Sequence, residues 1–249
     1  MNYMQKKKSL GQCFLEDKNI LRLEAKLADV KDKKVLEIGA GDGRLTDVIL
    51  EQDPLRIYAV EKDEKLLGLL DNKYCGCQER VIVLGGDVLE IELPDFDVVV
   101  GNIPYYISSD IIFRLKDFKF DNAVLMVQKE FAEKMVAKPR DKNYGRLSVT
   151  SQLYFDIKLE RKVLRHLFRP VPKVDSAIIL LKPTGRTLTQ FEENVIRYLF
   201  QHKNKTVRNA LLDSKMFDKE ELEKLGDFLK RKVRTLSKEE CLDIAKLLA

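Results

Sequence analysis

The most informative segment of this chain is Asp97-Val98-Val99-Val100-Gly101-Asn102-Ile103-Pro104-Tyr105-Tyr106. Its β-branched valines predict a buried strand of a parallel sheet. Pro104 predicts the end of that strand, because proline lacks the N–H that a β-ladder needs. An amide, a backbone carbonyl and an aromatic ring then follow a strand end, where open α/β sheets bind ligands. This set of groups suits a planar base that carries an amine. The alternative interpretation is a strand-to-helix turn with an asparagine cap.

Short apolar segments alternate with helical patterns on both sides of this segment. Strands are predicted at 34–38, 56–61, 81–84, 98–100 and 123–127, followed by two more at 154–159 and 177–181. The alternation is typical of a doubly wound α/β sheet with mostly parallel strands. A turn-forming segment, Lys182-Pro183-Thr184-Gly185, precedes a region with only helical patterns. We therefore expect an α/β domain over 1–184 and a small all-helical domain over 185–249.

Composition narrows the class of protein. The chain has 249 residues, and 45% of them are apolar, which is ordinary for a globular protein. No run approaches the roughly 18 apolar residues of a membrane span, and Met1 to Lys8 is too polar for a secretory signal. The pair Cys75-Gly76-Cys77 has no second ligand pair nearby, so we expect no metal site and reduced thiols. These features predict a soluble, cytoplasmic protein without membrane association.

Charge is unevenly distributed along the chain. Residues 1–128 carry 18 Lys and Arg against 23 Asp and Glu, whereas residues 129–249 carry 27 against 17. The second half therefore has a net charge of +10, which favours binding of a polyanion. The alternative is a lysine-rich surface that only meets solvent.

A glycine-rich turn follows the first predicted strand of the sheet. Its spacing is Gly39-x-Gly41-x-Gly43, and Arg44 occupies the position where a dinucleotide fingerprint has its third glycine. Glu61 ends the next strand and can accept hydrogen bonds from ribose hydroxyls. Asp87 follows the third strand and can accept from an adenine amine. The set predicts an adenosyl ligand without a pyrophosphate, and S-adenosyl-L-methionine is the common one. Structural turns are the alternative.

With that cofactor, the segment around Asn102 predicts a chemical role. The N6 amine of adenine is a poor nucleophile because its lone pair is delocalised into the ring. The Asn102 side-chain oxygen and the Ile103 carbonyl could accept its two N–H groups, which favours a tetrahedral nitrogen whose lone pair points at the sulfonium methyl. Tyr105 would stack on the base.

Several motifs together resemble those of the universal small-subunit ribosomal RNA adenine N6,N6-dimethyltransferases, in the archaeal and eukaryotic form. They are Lys8-x-Leu10-Gly11-Gln12-x-Phe14-Leu15, Leu36-Glu37-Ile38-Gly39-Ala40-Gly41, Val60-Glu61, Gly86-Asp87, Asn102-Ile103-Pro104-Tyr105 and Phe168-x-Pro170-x-Pro172-x-Val174-Asp175-Ser176. The resemblance implies a Rossmann-like methyltransferase sheet. It also implies dimethylation of two adjacent adenosines in the 3′-terminal helix loop of small-subunit RNA, late in subunit assembly.

The resemblance assigns roles to individual residues. The cofactor site is expected to comprise Gln12, Cys13, Leu15, Gly39, Gly41, Glu61, Asp87 and Asn102. The catalytic set is Asn102, Ile103, Pro104, Tyr105 and Phe168, with Phe168 facing Tyr105 across the target base. Position 13 departs from many relatives, which have Asn or His there, because a thiol offers only its backbone or a weak S–H. Phe168 in a purely packing role is the alternative for that residue.

Basic residues predict where RNA binds. They are Lys6, Lys7, Lys8, Arg140, Lys142, Arg146, Lys203, Lys205 and Arg208. The expected partner is small-subunit RNA within an immature subunit, bound by a monomer. Two other functions stay open at this point: methylation of large-subunit RNA, as in the erythromycin-resistance enzymes that share these motifs, and ribosome assembly by RNA binding with methylation incidental.

Overall fold

The computed structural model describes residues 13–249. Its strands in this part of the chain are β1 Phe14–Leu15, β2 Lys34–Ile38, β3 Arg56–Glu61, β4 Val81–Gly85, β5 Val98–Asn102, β6 Asn122–Gln128, β7 Phe155–Val163, β8 Phe168–Arg169 and β9 Ser176–Pro183. Seven strands form one sheet in the order β4-β3-β2-β5-β6-β9-β7, and β1 pairs with β8 in an antiparallel ribbon. Strands β2 to β6 are parallel, whereas β9 runs antiparallel to β6. The predicted Rossmann-like, mostly parallel sheet is confirmed.

Helices connect these strands and make up the C-terminal part of the chain. They are α1 Lys18–Ala28, α2 Arg44–Leu50, α3 Glu64–Tyr74, α4 Ser108–Leu115, α5 Lys129–Met135, α6 Arg146–Tyr154, α7 Gln190–Gln201, α8 Val207–Asp213, α9 Lys219–Leu222 and α10 Lys238–Leu248. Short 3-10 segments lie at Tyr105–Ile107, Arg165–Leu167, Glu223–Lys230 and Val233–Thr235. No helix among residues 13–249 is long and apolar enough to cross a membrane.

The chain folds into two compact units. The α/β unit contains the described residues up to Ala132 together with Lys158–Pro183, and the helical unit contains Glu133–Ile157 together with Thr184–Ala249. One division of the chain lies between Pro183 and Thr184, and residues 133–157 fall in the helical unit, whereas the predicted domain over 1–184 included them. The reason is packing, because Tyr144, Val149 and Leu153 are buried in the apolar core that the C-terminal helices form.

Strand register brings the ends of three neighbouring strands together in the α/β unit. Ile38 of β2 lies opposite Val60 of β3 on one side and Gly101 of β5 on the other. A Cβ on Gly101 would approach the Ile38 carbonyl oxygen to 2.6 Å, so only glycine permits this pairing. The residues after β2, β3 and β5 therefore emerge side by side at one edge of the sheet.

Helix boundaries follow from side-chain caps. Asp17 accepts hydrogen bonds from the backbone N–H groups of Asn19 and Ile20, so α1 begins at Lys18. In the helical unit a side chain from the cap residue likewise starts α7, α8, α9 and α10; the caps are Thr189, Thr206, Asp218 and Ser237. Three of these caps carry a glutamate three residues later that completes a capping box.

Candidate active site

A cavity lies at the carboxyl ends of β2, β3 and β5. Its walls contain every predicted cofactor-binding or catalytic residue within 13–249: Cys13, Leu15, Gly39, Gly41, Glu61, Asp87, Asn102, Ile103, Pro104, Tyr105 and Phe168. Gln12 lies outside the described residues. Residues from six separate motifs therefore surround one space, while their individual roles remain predictions.

The glycine turn after β2 forms one wall of the cavity. Gly39, Gly41 and Gly43 all have positive φ angles, of 73°, 63° and 80°. A Cβ on Gly41 would be strained at this φ and would lie 2.9 Å from the Phe14 ring. The Gly41 N–H donates to Glu61 Oε2 over 2.8 Å. The turn thus exposes backbone to the cavity and is held by a carboxylate from the neighbouring strand.

Glu61 is nearly buried, and its carboxylate accepts hydrogen bonds from three backbone N–H groups around the cavity. Its Oε1 accepts from the backbone N–H groups of Lys62 and Asp63, both at 2.9 Å, and its Oε2 accepts from Gly41. Each carboxylate oxygen has about two acceptor positions, so Oε2 keeps one for a ligand hydroxyl. The sequence predicted a ribose acceptor here, and the structure adds a second role, since the same carboxylate fixes the glycine turn.

Asp87 carries a carboxylate beside the cavity. Its Oδ2 accepts from Lys62 Nζ over 2.6 Å, and its Oδ1 accepts from the Leu89 N–H over 2.9 Å. The hydrogen bond from Lys62, followed by that from the Leu89 backbone, lowers the pKa of Asp87. Asp87 is therefore an ionised acceptor, as recognition of an amine requires.

Asn102 ends β5 at the cavity, and Ile103 follows it. Asn102 Oδ1 is fully buried and has no hydrogen-bond partner among the described residues. The Ile103 N–H donates to the Met126 carbonyl over 3.1 Å, which anchors the main chain directly after Asn102. A buried amide oxygen without a donor is costly unless a ligand supplies one. This oxygen is therefore an unused acceptor, and its contact with a target amine stays a prediction.

Aromatic rings complete the cavity wall. The Tyr105 hydroxyl lies 2.7 Å from Ser176 Oγ, which fixes the ring. Phe168 is only 4% exposed and belongs to the core of the α/β unit, and it also lines the cavity. Its stacking on the target base stays a prediction. Tyr106 also lines the cavity and is 63% exposed. No role was predicted for Tyr106, although its position beside Tyr105 was a usable signal.

Cys13 lies in the cavity wall as a partly buried thiol. Burial raises the pKa of Cys13, so the side chain is a neutral thiol rather than a thiolate. Its neighbour Leu15 is buried, and it pairs with Phe168 across the β1–β8 ribbon. This ribbon links the segment at 13–15 to the Phe168 motif.

Two buried acids near the site were not predicted. Glu24 on α1 and Glu37 on β2 are both completely buried. Glu37 Oε2 accepts from Thr46 Oγ1 over 2.6 Å, and burial raises the pKa of Glu37 to about 8, although the Thr46 hydrogen bond opposes that rise. A signal for Glu24 did exist, since it lies between Ile20 and Ala28 at helical spacing, on the face that the sequence marks as apolar.

Stability should fall with rising pH because of Glu37. The folded state holds the Glu37 proton more tightly than the unfolded chain does, so its contribution is complete at acid pH and is lost as pH rises from about 4.5 through about 8. We expect the melting temperature to fall between pH 6 and 9, and to fall less in Glu37→Gln, which cannot titrate. Calorimetry at several pH values checks this, with the exposed Glu92→Gln as control. Equal pH dependence of Glu37→Gln and the unmodified chain would contradict it.

The predicted RNA-binding cations of the helical unit differ in their surroundings. Lys203 Nζ donates to the carbonyls of Lys142 and Tyr144, over 3.1 and 2.8 Å. Lys205 pairs with Asp213 over 2.6 Å, and Arg208 approaches Glu223 to 3.7 Å. By contrast, residues 138–146, the basic loop that leads into α6, carry three exposed cations that form no ion pair with a described residue: Arg140, Lys142 and Arg146. Lys6, Lys7 and Lys8 lie outside the described residues.

The cavity fits an adenosyl methyl donor. A glycine turn exposes backbone, Glu61 keeps an acceptor position for a hydroxyl, and Asp87 is an ionised acceptor for an amine. Within residues 13–249, no cluster of His, Cys, Asp and Glu could hold a metal ion. Three features place this chain in the class of Rossmann-like S-adenosylmethionine-dependent methyltransferases. They are a mostly parallel sheet, a glycine-rich turn after one of its strands, and an amide at a strand end that lines the cavity.

Comparison with known proteins narrows this class. Residues 3–249 match the family described as ribosomal RNA adenine dimethylase. The chain is 42% identical over 207 residues to a probable ribosomal RNA small subunit methyltransferase A from Thermococcus sibiricus, an alignment that covers 82% of this chain and 75% of the relative. The chain therefore belongs to the ribosomal RNA adenine dimethylase family. It is an enzyme that uses S-adenosylmethionine.

Solved structures agree with this assignment. A dimethyladenosine transferase from Plasmodium falciparum superposes with a TM-score of 0.81 at 32% identity, covering 93% of this chain and 95% of that one. The 23S rRNA methyltransferase ErmE superposes with a TM-score of 0.71 at 28% identity, covering 94% and 99%. The chain is thus more similar to the dimethyladenosine transferase than to the large-subunit enzyme.

Proposed function

We propose that this enzyme transfers methyl groups from S-adenosylmethionine to N6 of two adjacent adenosines in the 3′-terminal helix loop of small-subunit ribosomal RNA. The product is N6,N6-dimethyladenosine. Support comes from the family match over nearly the whole chain and from the relative named as a small-subunit methyltransferase. The observation that carries the chemistry is the buried, unpartnered Asn102 Oδ1 in the cavity wall.

The site residues suggest how the amine is activated. Asn102 Oδ1 and the Ile103 carbonyl accept the two N–H groups of the target amine, which orients its lone pair. Bound S-adenosylmethionine supplies an electrophilic methyl group. Tyr105 holds the base by stacking, with its ring fixed by the Ser176 contact, and Phe168 closes the other side. No general base is required before attack, because the N–H becomes acidic only after the nitrogen is alkylated.

The same geometry accounts for a second methylation. A monomethyl amine retains one N–H for an acceptor and one lone pair for attack, so the same groups serve both steps. The base must leave its stack to reach Asn102, and a loop base costs least to extrude. A cavity lined by two rings offers one flipped base a place between them.

The proposed partner is an immature small subunit, bound in the cytoplasm by a monomer of this chain. Two weak contacts on one rigid particle gain from effective concentration, and the α/β and helical units could supply one contact each. The test is tritium-methyl incorporation into immature small subunits, naked RNA fragments, DNA and large subunits, followed by nucleoside analysis. We expect immature subunits to be the best substrate and dimethyladenosine to be the end product. Monomethyladenosine alone would contradict the proposal.

The two alternative functions predict different outcomes of that experiment. A large-subunit enzyme would label large-subunit RNA, and the 28% identical ErmE structure is the observation in its favour. An assembly factor would support subunit maturation even when methyl transfer is abolished by changing Asn102. The higher similarity to the dimethyladenosine transferase favours the small-subunit proposal over the first alternative.

RNA affinity should fall steeply with salt, and the basic loop should account for more of that dependence than the paired cations. When an unpaired Lys or Arg side chain contacts a phosphate, a counterion is released from the RNA. Each such contact contributes about −0.7 to −0.9 to the slope of log binding constant against log salt concentration. Changing Arg140, Lys142 and Arg146 to Gln should flatten the slope by about 2. Changing Lys205 and Arg208 should flatten it by less than 1, because Asp213 and Glu223 already face them.

Filter binding at several salt concentrations measures both slopes. The loop variant and the paired-cation variant serve as controls for each other, since both change exposed basic side chains of the helical unit. A slope that responds only to Lys205 and Arg208 would contradict the proposed role of the loop.

A further inference from the structure

The segment that runs from the end of β7 to the start of β9 concentrates positive charge. Residues 161–174, called here the 161–174 segment, contain five Lys or Arg, one His and no Asp or Glu. Residues 1–128, which supply most of the remaining α/β unit, carry 18 Lys and Arg against 23 Asp and Glu, a net charge of −5. A local excess of cations on an otherwise acidic unit favours binding of an anion at that place.

The cations of the 161–174 segment are all exposed; they are Arg161, Lys162, Arg165, Arg169 and Lys173. Lys162 has a carboxylate partner in Asp175, 3.1 Å away. Arg169 has a weaker one in Glu16, 3.6 Å away. The other three cations form no ion pair with a described residue. Their charge is therefore available to a ligand.

Hydrogen bonds hold the 161–174 segment in a defined shape. Asp175 Oδ1, directly after the segment, accepts from the Arg165 backbone N–H over 3.1 Å. The Arg165 side chain donates to the Lys173 carbonyl over 3.1 Å, which joins the two ends again. Between these ends, β8 pairs with β1. The exposed cations therefore extend from an ordered surface, which lowers the entropy lost when a ligand binds.

The 161–174 segment also forms part of the cavity wall. Phe168 from its middle and Ser176, two residues after its end, both line the cavity. Side chains alternate along a strand, so Phe168 of β8 is buried while the next residue, Arg169, is exposed. Val171 and Val174 are 53% and 44% exposed and add apolar surface among the cations. A nucleotide whose base entered the cavity would have its neighbours in the strand close to this surface.

We propose that the exposed surface of the 161–174 segment binds the RNA nucleotides next to the target adenosine. The inference rests on the proposed RNA substrate. The three unpaired cations contact phosphates, and the two exposed valines pack against the riboses and bases of unstacked loop nucleotides. Several separate cations with apolar side chains between them suit a chain of phosphates better than one small anion. The α/β unit thus has an RNA contact of its own, in addition to the cations predicted in the helical unit.

The direct test is a triple variant of the whole chain, Arg161→Gln, Arg165→Gln and Lys173→Gln. Its ligand is an RNA hairpin with the 3′-terminal loop of small-subunit RNA. The slope of log binding constant against log salt concentration should flatten by about 2, since each contact with a single strand contributes about −0.7. Affinity at low salt should fall about tenfold or more for the same reason. Filter binding measures both quantities. Affinity for S-adenosylhomocysteine should stay normal, because none of the three side chains lines the cavity.

A matched control removes three exposed lysines of the same unit, by Lys26→Gln, Lys31→Gln and Lys119→Gln. Lys31 and Lys119 each lie three residues before a parallel strand, β2 and β6, so they lie at the edge of the sheet opposite the cavity. The control variant should bind the hairpin with the normal slope. Equal flattening by the two variants would show an effect of total charge alone and would overturn the inference.

Photocrosslinking locates the contact directly. A thiouridine placed next to the target adenosine should crosslink to peptides of the 161–174 segment, which mass spectrometry identifies. The inference is overturned if the triple variant keeps the normal slope, or if every crosslink lies outside this segment. Failure of the proposed function has a different signature, because the unmodified chain would then methylate large-subunit RNA or no RNA at all.

Discussion

Replacing Asn102 by alanine should reduce methyl transfer by 100-fold or more while the protein stays folded. The amide oxygen lies at the end of a central strand, is buried, and has no partner among the described residues, so its removal costs no existing hydrogen bond there. What is lost is one oriented acceptor for the reacting amine, and single oriented groups of this type contribute about 10²–10³ in rate. Single-turnover assays with S-adenosylmethionine and small subunits measure the effect.

The control for this variant is its ability to bind the cofactor. S-adenosylhomocysteine binding by calorimetry should change much less than the rate, since Glu61 and Asp87 remain. The melting temperature should also stay close to that of the unmodified chain. A variant with nearly normal turnover, or one whose rate falls only because it unfolds, would remove the basis for the assigned role.

Replacing Glu61 by alanine should weaken S-adenosylhomocysteine binding by about 30-fold or more. Hydrogen bonds to a charged group are each worth about 1.5–3 kcal/mol. The substitution removes the proposed ribose acceptor together with the acceptor for the N–H groups of Gly41, Lys62 and Asp63. The glycine turn loses its support at the same time, so the loss exceeds that of a single ligand contact.

A matched control for Glu61 lies three residues further along the chain. Glu64 is exposed in the first turn of α3 and does not line the cavity, so Glu64→Ala removes the same charge without touching the turn. Calorimetric titration of both variants should show normal affinity for Glu64→Ala only. Equal affinities of the two variants, or tighter binding of NAD than of S-adenosylhomocysteine, would contradict the assigned cofactor site.

The cofactor side of the site could be predicted because each part is local in sequence. The sequence marks the carboxyl end of each of three strands by a local pattern. These patterns are the Gly39-x-Gly41 turn, Glu61, and Asn102 after a run of valines. Parallel pairing then brings these ends together at one edge. The structure places all three around the same cavity.

The parts that were not predicted depend on contacts between distant residues. Helix α6 was missed because its sequence, Arg146–Tyr154, is rich in Ser, Thr and Gln and lacks a clear apolar stripe. The internal partners of Lys203 and Lys205 were equally hidden, since nothing local distinguishes a paired lysine from a free one. Glu24 shows the same limit, because the sequence reveals an acid at an apolar position but not that its carboxyl oxygens are buried without a hydrogen-bond partner among the described residues.

The placement of Lys203 affects how a mutational scan of this enzyme should be interpreted. Its ammonium group donates to two carbonyls of the basic loop, so we expect it to support the loop geometry more than to contact a phosphate. A scan scored by affinity at one ionic strength would rank Lys203 beside true phosphate contacts, because losing the loop geometry also weakens binding. The number of counterions released separates the two kinds of hit: it should stay constant for Lys203→Gln and fall for Arg140→Gln.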